Sequence, residues 1–280
     1  MPSPLKSDNP PRLWAVLPCA GTGSRAGGQG PKQYQSVAGE PMVLHTLRAF
    51  AQVQRLAGTV LVVSPGDDFW GPLPSAAPEA NASAAAAPQA GSAPGDGHVR
   101  VPSPQVGMPL HLGAGQLCAG GGAHVMDRGG ATRAQSVFNG LQALLDQGVN
   151  PSDWVLVHDA ARCLVTADMI NQLIDCCLDD EVGGLLALRL PDTLKASREG
   201  RVTATVDRSD KWLAQTPQMF RLGMLVRALE RAGDAVTDES SAMEAMGLAP
   251  QLVEGSAQNF KVTYPQDFAL AEAVLQTRRA

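Results

Sequence analysis

The chain lacks several features that would assign it to a class at once. No apolar run in its 280 residues approaches the ~18 that a membrane-spanning helix needs. The opening stretch, MPSPLKSDNPPR, has no apolar core of the kind a secretory signal carries. Five cysteines, at positions 19, 118, 163, 176 and 177, form no C-x-x-C pair and no Cys/His cluster at zinc spacing. They are expected to be reduced thiols, mostly buried filler, in a cytoplasmic protein. Basic charge is not in excess either. A net charge of −5 provides no general field for nucleic acid, so an anionic ligand must be held by cations gathered locally. At 44% hydrophobic and 18% charged residues, the chain can build one large α/β domain or two small ones.

What is present is concentrated in residues 13–33, LWAVLPCAGTGSRAGGQGPKQ. Leu13 to Leu17 is an apolar run of the right length for one buried strand. It passes through Pro18 into a loop holding Gly21, Gly23, Gly27, Gly28 and Gly30, with Arg25 and Lys32 set among them. Glycine lets backbone approach an anion closely, and N–H groups at the end of a strand make a phosphate cradle. Arginine forks onto phosphate oxygens, and lysine supplies a point charge. Glycines alone would equally suit a surface loop; two cations directly after a buried strand point to a phosphate site. Residues Gly21 to Ala26 fit G-x-G-x-x-G/A, yet the acid that a dinucleotide site needs about twenty residues on is missing. That region, 41–58, reads as a helix, and the next strand reaches acid only at Asp67. No Gly-Lys-Ser/Thr follows, which removes the P-loop.

Residues 1–12 read as a flexible Pro-rich tail and 13–280 as one domain. A helix from Pro41 to Gly58 is followed by a β-branched strand, Thr59 to Val63. Between Ser75 and Gly97, 19 of 23 residues are Ala, Pro, Gly or Ser, with nothing large to bury. Residues 72–123 are therefore expected to be a disordered insertion. Order resumes at Val125-Met126, with a helix after GGATRAQS, a strand at WVLVH (154–158), a helix over 168–178 and a strand over 184–190. Residues 191–211 are polar, with a Glu199-Gly200 turn, and predict an exposed β-hairpin arm. Two helices, a short strand at 251–253 and a last helix from Pro265 complete the chain. The fold class expected is α/β: a three-layer, Rossmann-like, mostly parallel sheet with an extended arm, and sites at strand carboxyl ends.

The glycine loop fits another pattern, P-x-A-G-x-G-x-R followed by P-K-Q. With it come, in order, SPGD, GGATRAQSV, VHDAAR, DT, VDR, QTPQMF, TDES and NFKVT. Over residues 13–71 and 125–278 the chain thereby closely resembles the nucleotidyltransferases of the non-mevalonate isoprenoid pathway, the 2-C-methyl-D-erythritol 4-phosphate cytidylyltransferases. The resemblance implies that CTP and a polyol phosphate are joined with release of diphosphate, that Mg²⁺ is required, and that the enzyme dimerises through its β-arm. It implies that Arg25, Lys32 and Lys261 act on the reacting phosphates. Ala20, Gly21, Gly23, Gly130, Ser136 and Asp159 would bind the nucleotide. Asp159, Thr193, Arg208, Thr237 and Lys261 would bind the polyol phosphate, with the metal held mainly by the triphosphate near Asp159. On residue type alone Ser136 reads equally as a helix-end serine, Asp159 as a helix cap, and Arg133 as a helix-start residue. A ribitol 5-phosphate cytidylyltransferase, or a nucleotide-binding module without turnover, are the alternatives. His158 is expected to be buried at its strand end, and Cys19 to react only if exposed.

Overall fold

The computed structural model describes residues 10–21, 30–70, 112–114, 122–233 and 236–279. Strand β1 (Leu13–Pro18) is followed by a one-turn 3₁₀ helix (Lys32–Tyr34) and two short paired strands, β2 (Ser36–Val37) and β3 (Glu40–Pro41). Then come α1 (Met42–Ala51), β4 (Leu56–Val62), β5 (Leu112–Ala114), β6 (Ala123–Met126), α2 (Arg133–Asp146), β7 (Trp154–Val157), α3 (Ala167–Cys177) and β8 (Gly183–Arg189). The remainder is β9 (Leu194–Arg198), β10 (Arg201–Val206), β11 (Trp212–Arg221), α4 (Leu222–Ala232), α5 (Glu239–Ala245), β12 (Gln251–Glu254) and α6 (Pro265–Arg279).

Eight strands form one sheet in the order β12-β8-β11-β7-β1-β4-β6-β5. β1 is parallel to β4 on one side and to β7 on the other. β6 pairs parallel with β4 and β5, and β12 with β8. Among the described strands of this sheet, β11 is the antiparallel member, lying between β7 and β8. Strands covered on both faces need apolar side chains at successive positions. In β1, Leu13, Ala15 and Leu17 pack with Val43, Leu47 and Phe50 of α1 and Ile170, Leu173 and Ile174 of α3. Trp14 and Val16 point to the other face, against Val137, Leu141 and Leu144 of α2 and Leu225 and Leu229 of α4. The helical spacings of three and four put each set on one side of its helix. Each Val, Leu, Ile or Phe among them that is fully buried contributes about 1.5–3 kcal/mol. The three-layer, mostly parallel architecture is the one expected.

Two boundaries differ from expectation. α1 stops at Ala51 instead of running to Gly58, and β4 starts at Leu56. Leu56 and Gly58 pair with Leu13 and Trp14, and a Cβ at Gly58 would sit 2.9 Å from the Trp14 ring. That glycine marks a close approach in the sheet, not a helix stop. β11 was not anticipated, because Pro217 within WLAQTPQMF argues against a central strand. The chain accommodates it where the β11–β8 register breaks, between Ala214 and Gln218.

The hairpin arm is present. β9 and β10 form their own two-stranded sheet, and Glu199 and Gly200 both take positive φ, at 50° and 76°, as a type I′ turn requires. Most of the expected insertion, 72–123, lies outside the described residues, as does the tail before Pro10. Within that insertion, however, Leu112–Ala114 is the edge strand β5, paired with β6.

Gly140, in the middle of α2, gives a test of the packing. An exposed helical Gly→Ala gains roughly 1 kcal/mol. Here the added Cβ would lie 2.6 Å from Val62 Cγ2 and 3.0 Å from Val16 Cγ1, on two stiff β-branched side chains. Overpacking of this kind costs about 1–3 kcal/mol, so Gly140→Ala is expected to lower the urea midpoint; a raised midpoint would contradict the packing.

Candidate active site

Loops at the carboxyl ends of β1, β6 and β7 meet where the order of connections reverses about β1, the place at which open parallel sheets bind ligands. They enclose a cleft of about 290 Å³. The first loop is fixed by Cys19 N–H donating to Val62 C=O at 2.7 Å and by Gln33 Nε2 and Ser64 Oγ donating to the carbonyls of Cys19 and Ala20. The second is the Gly129-Gly130 turn after β6. Gly129 N–H donates to Val63 C=O at 2.7 Å, and a Cβ there would be 2.3 Å from that of Ala20. Ser136 accepts from Gly130 N–H at 3.0 Å and donates to Thr132 C=O at 2.9 Å. Buried in this way, it shapes the glycine turn.

The third loop begins with His158 and Asp159. His158 is fully buried, and burial drives its pKa down to about 3, so the ring is neutral. Its Nε2–H donates to Arg162 C=O, leaving Nδ1 to accept from the Thr216 hydroxyl at 3.0 Å. The same hydroxyl oxygen accepts from Asp159 N–H at 3.1 Å. His158 is thus buried at its strand end, as expected of it, and it also anchors the loop.

Asp159 is the centre of charge in the cleft. Its Oδ1 accepts from Arg133 Nε at 2.6 Å, and its Oδ2 accepts from Lys261 Nζ at 2.7 Å. Burial pushes the carboxyl pKa up, but the guanidinium and the ammonium outweigh it and hold Asp159 below the usual carboxylate range. Arg133 also forks onto Glu239, with Nη1 and Nη2 at 2.7 and 3.0 Å from the two carboxylate oxygens. Glu239 itself sits in the first turn of α5, which Asp238 caps. Lys32 Nζ donates to Val262 C=O at 2.6 Å, so it reaches the same loop that carries Lys261. Arg162 and Val262 tie that loop to the Asp159 turn, through Asn259 C=O and Ala161 C=O.

The structure therefore gathers Ala20, Gly21, Lys32, Gly130, Ser136, Asp159 and Lys261 around one cleft. Gly23 and Arg25 lie outside the described residues. Thr237 lines a smaller adjoining cavity of about 140 Å³, which shares Thr132 and Arg133 with the first. Thr193 and Arg208 line neither; both are exposed, and Arg208 donates to the carbonyls of Leu190 and Pro191. Cys19 is buried, and desolvation raises its pKa, so it is an unreactive thiol. From sequence Arg133 reads only as a helix-start residue and Glu239 is given no part in the site, although both fall within motifs noted above. Among the described residues no group of three or more His, Cys, Asp or Glu could hold a metal, and no helix is long and apolar enough to cross a membrane.

Lysines converging on a glycine-lined cleft at the switch point of such a sheet are the equipment of a nucleotidyltransferase. The chain belongs to the 2-C-methyl-D-erythritol 4-phosphate cytidylyltransferase family, whose model matches residues 13–79 and 114–277. It is 44% identical over 271 residues to the protein of that name from Paraburkholderia phytofirmans, covering 94% of this chain and 96% of the relative. A bifunctional IspD/IspF enzyme of Albidiferax ferrireducens is 57% identical over 98% of this chain, which spans 55% of that protein's length. A crystal structure of 4-diphosphocytidyl-2C-methyl-D-erythritol synthase superposes with a TM-score of 0.70 at 34% identity, covering 95% of this chain and 98% of the other. The cytidylyltransferase from Thermus thermophilus gives 0.65 at 27% identity, over 95% and 99% of the two chains.

The pairing of Asp159 sets a pH dependence. Its folded pKa lies below the ordinary value of 3.8, so its stabilising contribution is complete above that value and is lost as pH falls toward the folded pKa. Urea unfolding of wild type and Asp159→Asn is expected to show a constant gap in stability near neutrality. The gap should shrink once the pH drops below about 4. A gap that is flat into the acid range would mean that the ion pairs are not formed.

Proposed function

We propose that this cleft carries cytidylyl transfer, with the site residues acting as follows. The chain is a cytidylyltransferase of the EC 2.7.7 class that joins CTP to 2-C-methyl-D-erythritol 4-phosphate in isoprenoid biosynthesis. A phosphate oxygen of the polyol phosphate attacks the α-phosphorus of CTP in line; the bond to the bridging oxygen breaks and diphosphate leaves. A phosphate monoester dianion is already a nucleophile, so positioning and charge neutralisation are what the protein supplies. The observation that carries the reading is that Lys32 and Lys261, far apart in sequence, line one cleft with Asp159, Lys32 on the Val262 carbonyl and Lys261 on Asp159 itself.

Lys32 and Arg25 hold the triphosphate, and Lys261 turns from Asp159 toward the reacting phosphate. Backbone at Ala20, Gly21, Gly23 and Gly130 reads the cytosine and ribose, with Ser136 fixing the Gly130 turn. Asp159 and Thr237 face the polyol phosphate. Among the described residues, the carboxylate lining the cleft is Asp159. Mg²⁺ typically takes one or two carboxylates together with substrate phosphates, which suits an ion carried in mainly on CTP. When bound, that ion offsets charge on the phosphates. Thr193 and Arg208 on the exposed arm serve the site of a second copy, making the enzyme a homodimer. Unpaired cysteines at 19, 163, 176 and 177 accord with a cytoplasmic setting.

Diphosphate release is expected with CTP and methylerythritol phosphate, and not with ribitol 5-phosphate. Lys32→Ala, Lys261→Ala and Arg25→Ala should each lower kcat by about 10²–10³ with the fold intact by circular dichroism. A rate within a few-fold of wild type would remove that cation from the reaction.

The shared arm has its own test. Lys32→Ala and Arg208→Ala proteins, each nearly inactive, are mixed under subunit exchange. With random pairing half the dimers are mixed and one of their two sites is complete, so about a quarter of all sites should recover. No recovery in proven mixed dimers would place Arg208 in its own chain's site.

A further inference from the structure

At the wall of the cleft stands an ion pair to which the reading above gives no role, a half-buried Arg133 that lines the cleft and a buried Glu239 behind it. Arg133 reaches Asp159 with Nε and Glu239 with both Nη groups. The Glu239 side chain is only 1% exposed, whereas Lys261, on the other oxygen of Asp159, is 38% exposed. A guanidinium is planar, so fixing both Nη groups by a fork also fixes the direction of the Nε–H. Glu239 is itself held firmly. Ser240 N–H donates to Gln218 Oε1 at 2.7 Å, Gln218 Nε2 donates to Asp238 Oδ2 at 2.9 Å, and the α5 cap is reciprocal between Asp238 and Ser241. Gln218 lies in β11, two residues from the Thr216 that accepts from the Asp159 amide. One end of Asp159 is therefore clamped from the protein interior, through Arg133, and the other end meets a half-exposed lysine.

We propose that Glu239 is a positioning residue for the transfer reaction: through Arg133 it locks Oδ1 of Asp159 and leaves Oδ2 to Lys261 and the substrates. This rests on the reading that Asp159 works in the cleft. When Lys261 turns to the phosphates, Arg133 Nε still holds Oδ1 of Asp159, so the carboxylate keeps its orientation during the step. Lys261 is the exchangeable partner and Arg133 the permanent one.

Kinetics separate this role from a structural one. Wild-type turnover, and its loss in Asp159→Asn, first establish the parent reading; an Asp159→Asn enzyme of wild-type rate overturns both. On that baseline Glu239→Gln should lower kcat about 10- to 100-fold, as loss of a supporting partner does, with KM for CTP nearly unchanged. In the Asp159→Asn background the same change should cost nothing further, because its effect passes through Asp159. Fully additive losses would overturn the proposal. Should Glu239→Gln fail to fold, the decision falls to Arg133→Met/Glu239→Leu, which leaves no lone buried charge. That variant should fold with kcat equally reduced, and a wild-type kcat in it would sink the idea.

Discussion

A single buried carboxylate, Asp159, compensated from two sides, is the constraint around which the site is built. Removing a carboxylate from water costs several kcal/mol unless it is paired and hydrogen-bonded. In this chain the compensation comes from residues 133 and 261, and the first of these needs Glu239 in turn. Four side chains from α2, the β7 loop, α5 and the loop before α6 must arrive together for any of them to be tolerable. That requirement helps hold these segments in register around the cleft, in a protein whose overall charge would otherwise oppose binding an anion.

The cations are not idle before a ligand comes. Lys32 is engaged with the Val262 carbonyl and Lys261 with Asp159. On the proposed reading, phosphate binding by these lysines is an exchange of partners, not a simple gain of new ones. The net affinity is the difference between the phosphate contacts and those given up, which favours the multiply charged triphosphate over weaker anions.

Much of this was legible in the sequence, for identifiable reasons. The apolar runs announce strands buried on both faces, since few other structures need that composition. Asp159 was findable because it ends a strand, where sheets of this kind display polar groups. The arm was visible from Glu199-Gly200, whose positive φ values mark a two-residue turn. What was hidden depended on tertiary contact. Gly58 punctuates like a helix stop, yet it serves the Trp14 ring above it. β11 was concealed by Pro217, which a ladder break absorbs. Arg133 and Glu239 occupy helix-start positions, where charged residues are common, and their ion pair spans 106 positions. No local pattern encodes such a partnership.

The opposite end of the central strands has its own organising carboxylate. Asp153 accepts from the Arg12 amide at 3.0 Å and from the Trp14 indole at 3.1 Å, while its own carbonyl accepts from Leu222 N–H at 2.8 Å. It hems the start of β1, the approach to β7 and the end of β11 together, far from any ligand group. β1 is six residues long, so at about 3.3 Å per residue this hem is roughly 20 Å from the glycine loop. Arg12, just ahead of β1, lies at the end of the strand away from the cleft. The sheet is thus fastened at one end and open to ligands at the other, so the side chains that secure its central strands are separate from those that line the cleft.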